Sequence, residues 1–74
     1  MDADDIKTFI SGFLKIPNLQ PAMGMGLVAG WDSIKQIQLM LALEERYEVG
    51  IAPDLFGELS TVQAIVDYLM QADS

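Results

Sequence analysis

The chain has no cysteine and no histidine. The first absence removes disulfides, thiolate metal sites and a thiol nucleophile of the protein's own. The second removes the imidazole that would turn a serine into a nucleophile, and with both gone no ordinary ligand set for structural zinc is left. Positive charge is scarce as well: four Lys and Arg stand against eleven Asp and Glu, for a net charge of −7. Such a surface repels nucleic-acid phosphates and anionic membranes, and attracts basic patches on proteins. Long hydrophobic runs are missing too. The longest near-continuous one, residues 37–43, is far too short to span a bilayer, and the opening MDADDIK is acidic where a signal peptide would be basic. The expectation is a soluble, cytoplasmic, monomeric protein that engages neither nucleic acid nor membrane.

What remains suits one small domain over residues 1–74. At 51% hydrophobic residues the chain is too apolar for a disordered tail. A domain of this size buries only about 60% of its unfolded surface, which leaves little material for a deep catalytic cleft.

Three segments carry helical periodicity. Ile6, Phe9, Ile10, Phe13 and Leu14 follow the i, i+3, i+4, i+7, i+8 spacing of one buried helix face. Asp2 is placed as N-cap, Asp4 and Asp5 complement the positive helix end, Lys15 stands near the negative end, and Pro17 prevents continuation. The second helix spans residues 33–47 and is apolar nearly all round through Ile34, Ile37, Leu39, Met40, Leu41, Ala42 and Leu43. That pattern predicts a central helix buried on more than one side. The last helix opens with Ser60 as N-cap and Gln63 as its capping-box partner. Its stripe is Val62, Ile65, Val66 and Leu69, with Asp67, Gln71 and Asp73 facing outward.

Between the first two helices runs a long connection, residues 16–32, rich in Pro, Gly and Met. Loops of that length need pinning in a compact domain, and Leu19, Met23, Met25, Leu27, Val28 and Trp31 supply apolar anchors. Residues 53–58 make one short helical turn, with Pro53 in its first turn and Gly57 near its end. Val49 and Ile51 are too few for a strand, and Gly50 and Pro53 interrupt them. The fold class is therefore all-α: a four-helix bundle of three main helices and a short third one, with a long loop between helices one and two.

The polar cluster GWDSIKQ, residues 30–36, opens the second helix. A phosphate ester on the Ser33 oxygen would lie against free backbone N–H groups and the positive end of the dipole. The chain offers no base of its own to form one, so a phosphoryl-transfer enzyme would act in trans. The plainer reading makes Ser33, or Asp32 beside it, an ordinary helix cap. A hydrolase built on Ser33 would need a base that the chain lacks. Asp54 and Glu58 form no calcium site, because no twelve-residue loop with the required oxygen spacing surrounds them.

"DSI" followed by "QIQLMLALEERYEVGI", with "STVQAIVDYL" near the end, resembles the acyl and peptidyl carrier proteins. That family bears 4′-phosphopantetheine on the serine of an Asp-Ser-Leu motif, and its last helix commonly reads Thr-Val-Gln-x-x-x-Asp-Tyr. The likeness is close over residues 30–69 and looser over the first helix. It implies that Ser33 is the attachment site and that Asp32 helps engage the phosphopantetheinyl transferase and its magnesium. It also implies that the chain is no enzyme: a phosphoprotein whose working thiol is imported carries acyl or aminoacyl groups as thioesters between loading and transferring enzymes. No metal site of the chain itself is expected. Ile34 stands in place of the usual leucine, Lys35 in place of an acid and Gln38 in place of a glutamate, and residues 53–58 hold only two acids. These departures, with "GWDS", point from housekeeping fatty-acid synthesis toward polyketide, nonribosomal-peptide or other specialised acyl systems. The start at Met1 suggests a free-standing carrier rather than an excised module.

Lys35 and Gln36 lie one turn from Ser33 and are assigned to partner selectivity. Glu44, Glu45 and Glu48 crowd the negative end of the second helix, where they are unfavourable for stability, and are assigned to docking basic partners; a merely solvated face is the alternative. Trp31 is read as an anchor for the loop, with contact to a partner or the prosthetic arm as its other role. Met23, Met25 and Met40 are core filling for at least two of the three, with a pliable acyl lining as the alternative. Two other functions are weighed against the acyl carrier: a peptidyl carrier, and an unmodified helical adaptor for one basic partner.

Overall fold

A computed structural model describes residues 2–73, with side chains through Ala72. Helix α1 spans Ala3–Leu14, α2 spans Ser33–Tyr47 and α3 spans Val62–Asp73; a single 3₁₀ turn, Pro53–Leu55, lies between α2 and α3. Among the described residues there is no strand, only an isolated bridge between Gly24 and Thr61. The all-α architecture with a short third helix is thus observed.

α1 forms where its periodicity places it. Asp2 caps it, its side chain accepting from the Asp5 N–H at 2.7 Å, and Ile6, Ile10 and Leu14 are buried. α1 and α2 both end on a left-handed residue other than glycine, Lys15 and Glu48, whose N–H groups return to Ser11 O and Glu44 O. Those bonds satisfy carbonyls that the helix ends would otherwise leave open.

α1, not α2, is the helix that both others approach. The central, all-round-buried role expected for α2 is corrected by its exposed side. Gln36, Leu39, Met40 and Leu43 face the core, while Ile34, Ile37 and Leu41 stay 66%, 48% and 53% exposed. Three helices of this length enclose a single core, and one helix can turn only one face toward it.

The long connection is pinned as expected, with one exception. Trp31 is buried, Leu19, Met23, Met25 and Val28 rest against the core, and Leu27 is exposed. Backbone bonds add a clasp between this loop and the start of α3: Met25 N to Ser60 O, Val62 N to Met23 O and Gln63 N to Pro21 O. The clasp explains a second correction. Ser60 lends its carbonyl to Met25, so α3 begins one residue later than expected and Thr61 caps it, its Oγ1 accepting from Ala64 N at 3.1 Å. Gln63 makes no capping box; its amide donates to Asp67 instead. Val62, Ile65, Val66 and Leu69 are buried and Asp67 and Gln71 are exposed. The side chain of Asp73, expected to face outward, lies outside the described residues.

α1 and α2 are fastened on their outer side. The Tyr47 hydroxyl donates to Asp5 Oδ2 at 2.7 Å and Arg46 Nη2 lies 3.5 Å from Asp5 Oδ1. The Arg46 guanidinium stands over the Phe9 and Tyr47 rings. The Tyr47 hydrogen bond, seconded by the Arg46 charge, holds the Asp5 carboxyl below its ordinary value.

Two measurements test this account. At Gly24 an added Cβ would collide with the Ser60 carbonyl oxygen, whereas at Gly12 it would meet open space. Gly24→Ala is expected to lower unfolding free energy in urea by about 1–3 kcal/mol through overpacking. Gly12→Ala, inside α1, is expected to raise it by about 0.5–1 kcal/mol. The second measurement is pH dependence. Because the Asp5 carboxyl is depressed in the folded state, its contribution is full above the unfolded value of about 3.9 and is lost as pH falls through the folded value. The gap in urea midpoint between wild type and Asp5→Asn should therefore close as pH drops below about 4; a gap that persists unchanged in acid would refute the assignment.

Candidate functional site

The site is built on the first turn of α2. Asp32 is the cap: its backbone is extended and its Oδ1 accepts from the Lys35 N–H at 2.9 Å. Ser33 is then the first helical residue, exposed, and its hydroxyl makes no hydrogen bond among the described residues. The first intrahelical backbone bond runs from Gln36 N to Asp32 O, so the N–H groups of Ser33 and Ile34 have no partner among the described residues. An ester oxygen at Ser33 carrying a phosphate would lie beside these donors, at the positive end of the helix.

Beside Ser33 lies a groove of about 200 Å³ lined by Met25, Gln36, Ile37, Phe56 and Gly57. Three separate segments meet there: the long loop, α2 and the turn that follows the 3₁₀ helix. Its lining is almost wholly apolar, apart from Ser33 at the rim and the amide of Gln36.

The structure places the sequence-predicted residues unequally. Gln36, assigned to partner selectivity, is 1% exposed and has no surface to offer. It is the one buried polar side chain among the described residues. Its Oε1 accepts from Trp31 Nε1 at 2.7 Å, and its Nε2 donates to Phe56 O at 2.8 Å and Leu59 O at 2.6 Å. A buried indole N–H needs an acceptor, and two carbonyls in the turn before α3 need donors; Gln36 meets all three needs. Lys35 is exposed, with its ammonium 5.6 Å above the Phe13 ring.

Glu44 is half-buried, and its Oε2 accepts from the Ile51 N–H at 2.9 Å. Its place at the helix end is thus explained by a tie to the following loop. Glu45 and Glu48 are exposed. They stand about 18 Å or more along the helix from Ser33 at 1.5 Å per residue.

Sequence reasoning missed Ile34, Ile37 and Leu41 as surface residues. With Glu45 and Glu48 they follow spacings of three, four, four and three, which is one continuous stripe on α2. The stripe begins beside Ser33 and ends in two acids. Its signal was the excess of apolar residues on a helix whose partners are too few to cover every side.

Separating the cap from the serine has a measurable consequence. Asp32→Ala should lower stability by about 0.5–2 kcal/mol, the usual effect of losing an N-cap. Ser33→Ala, which deletes a hydroxyl without partners, should stay within about 0.5 kcal/mol of wild type in the same urea titration.

Comparison with known proteins matches this geometry to a family. The family described as "Phosphopantetheine attachment site" matches residues 4–69. An acyl carrier protein of Trieres chinensis is 32% identical over 40 residues, covering 54% of this chain and 50% of that protein. An acyl carrier protein of Cyanidioschyzon merolae is 27% identical over 70 residues, covering 92% of this chain and 77% of that protein. The match thus spans about half the length of the first relative and most of the second. With the match running from α1 into the last turns of α3, the chain belongs to the phosphopantetheine-attachment family, whose covalent 4′-phosphopantetheine is its cofactor.

Proposed function

We propose that the chain is an acyl carrier: Ser33 receives 4′-phosphopantetheine from coenzyme A through a phosphopantetheinyl transferase, and acyl or aminoacyl groups travel on it between biosynthetic enzymes. The observation that carries this reading is the exposed Ser33 hydroxyl at the first position of α2, without a hydrogen bond among the described residues, with two N–H groups beside it that have no partner there either. When attached, the arm supplies a terminal thiol that holds the cargo as a thioester. The chain's own residues bind and present. The N–H groups of Ser33 and Ile34 face negative charge on the ester, and the groove walls of Met25, Ile37 and Phe56 offer apolar contact. Asp32 keeps its Oδ1 on the Lys35 N–H, which holds the first turn in place while a transferase works on the neighbouring oxygen. The base for that transfer comes from the transferase, since the chain has no imidazole to supply it.

Partner enzymes are proposed to dock on the α2 stripe. Ile34, Ile37 and Leu41 provide apolar contact around Ser33, and Glu45 and Glu48 provide charge for a basic patch. Lys35 at the edge of the stripe sets selectivity. Tethering raises the effective concentration of the cargo at each enzyme, and weak, salt-sensitive contact lets the carrier leave again. The reading includes the cytoplasmic, monomeric setting and the specialised acyl pathway expected from the sequence. Among the described residues no helix is long and apolar enough to cross a membrane.

The test is intact mass after incubation with coenzyme A, magnesium and a broad-specificity phosphopantetheinyl transferase. Wild type should gain one phosphopantetheine and Ser33→Ala none. No gain by folded wild type would leave the unmodified adaptor as the reading, and a gain by both would move the attachment off Ser33.

A further inference from the structure

The amide of Gln36 lies between the groove beside Ser33 and the hydrophobic core. It lines the groove, yet it is itself buried. One turn further along the same face of α2 come Leu39 and Met40, then Leu43, all fully buried in the core. The arm on Ser33, with any hydrocarbon drawn in behind its terminal thiol, would therefore have to move Gln36 to pass into that core along the inner face of α2. Moving it would strand the buried Trp31 indole N–H and the buried Leu59 carbonyl, and would release the half-buried Phe56 carbonyl. A hydrocarbon offers these groups nothing in return, and buried polar groups without partners are strongly disfavoured.

We propose that Gln36 is a polar bolt that closes the passage from Ser33 to the core, so that cargo stays on the surface side. The inference rests on the carrier reading and refines it. The groove of roughly 200 Å³ adjoins the attachment oxygen, so it is the root of the arm that it receives, and the cargo at the arm's far end is left outside it. The chain is thereby suited to short acyl or aminoacyl groups presented openly to the next enzyme. Long hydrocarbon chains would gain no shelter in the core.

Wild type and Gln36→Ala are to be loaded from butyryl- and dodecanoyl-coenzyme A by the transferase, and loading verified by mass. The loaded proteins are then challenged with hydroxylamine, and NOEs from the cargo's terminal methyl are recorded. In wild type the two thioesters should be cleaved at matching rates, with no NOE from the dodecanoyl methyl to Leu39, Met40 or Leu43. In Gln36→Ala the dodecanoyl thioester should be roughly tenfold slower than the butyryl one, since the passage is open and the lost bonds no longer oppose burial. Should that variant fail to fold, Trp31→Phe removes one of the three bonds while keeping a ring in the core, and partial protection is expected. Dodecanoyl protection or core NOEs in loaded wild type would overturn the bolt whatever the variants do. So would equal cleavage rates in every folded variant. Failure to load at all is seen earlier, in the mass, and would overturn the carrier reading itself.

Discussion

Three hydrogen bonds on one side-chain amide tie together the parts of this fold that lie far apart in sequence. Through Gln36 the indole of Trp31 is bound to α2, and α2 is bound to the carbonyls of Phe56 and Leu59 ahead of α3. Each bond is worth only about 0.5–1.5 kcal/mol net, but each partner left unpaired in the interior is disfavoured by about 1–3 kcal/mol. In a chain of 74 residues, with total stability on the order of 5 kcal/mol, that asymmetry matters more than the bonds themselves. The amide holds Trp31 in the core, and Trp31 accepts the Gly26 N–H through its carbonyl. The loop thus fixed carries Met23 and Met25 to the clasp on α3. One buried polar group therefore coordinates the loop, the central turn and the start of the last helix.

The same economy governs the two faces of α2. Burying a Leu or Ile side chain contributes about 1.5–3 kcal/mol, so leaving Ile34, Ile37 and Leu41 largely exposed forgoes several kilocalories that other packing has to supply. α1 has taken the space. Its inner face meets α3 and α2, and its Phe9 and Phe13 are covered in part by the Lys35 and Arg46 cations. Those two cations, half of the four in the chain, are spent between α1 and α2. The outer stripe of α2 is left apolar near Ser33 and acidic near its far end, which is a pattern that stability alone does not select.

Much of this was legible in the sequence, because much of it is local. Helix periodicity, the Asp2 cap and the limits of α2 depend on residues a few positions apart, and the structure reproduces them. What was misread depends on contacts across the chain. Thr61 replaces Ser60 as the cap of α3 because Met25, 35 positions away, takes the Ser60 carbonyl. The Glu44 bond to Ile51 crosses a helix end, so helix spacing alone does not show it. Gln36 is assigned to partner selectivity because it lies one turn from Ser33. Yet its spacing to Leu39, Met40 and Leu43 is i, i+3, i+4 and i+7, the same arithmetic that identified the buried face of α1. A buried tryptophan five residues earlier, in need of an acceptor, was the companion signal. The family motif makes Asp32 and Ser33 conspicuous, but only the fold assigns the cap to one and leaves the other free.

That one-residue division is what makes a modifiable serine compatible with a stable helix start. Were Ser33 the cap, its oxygen would be committed to a backbone N–H three residues on, and esterifying it would disturb the first turn. With Asp32 in that role the Ser33 oxygen is free, and the unpartnered N–H groups beside it favour added negative charge. The helix period then settles the rest. Three residues beyond Ser33 the chain has turned inward, which buries Gln36; one and four residues beyond, it faces outward, which exposes Ile34 and Ile37. Shifting α2 by one residue would bury the serine's neighbours and expose the amide. The placement of the Asp32 cap thus sets, in one register, the free oxygen, the apolar surface around it and the polar group beneath it.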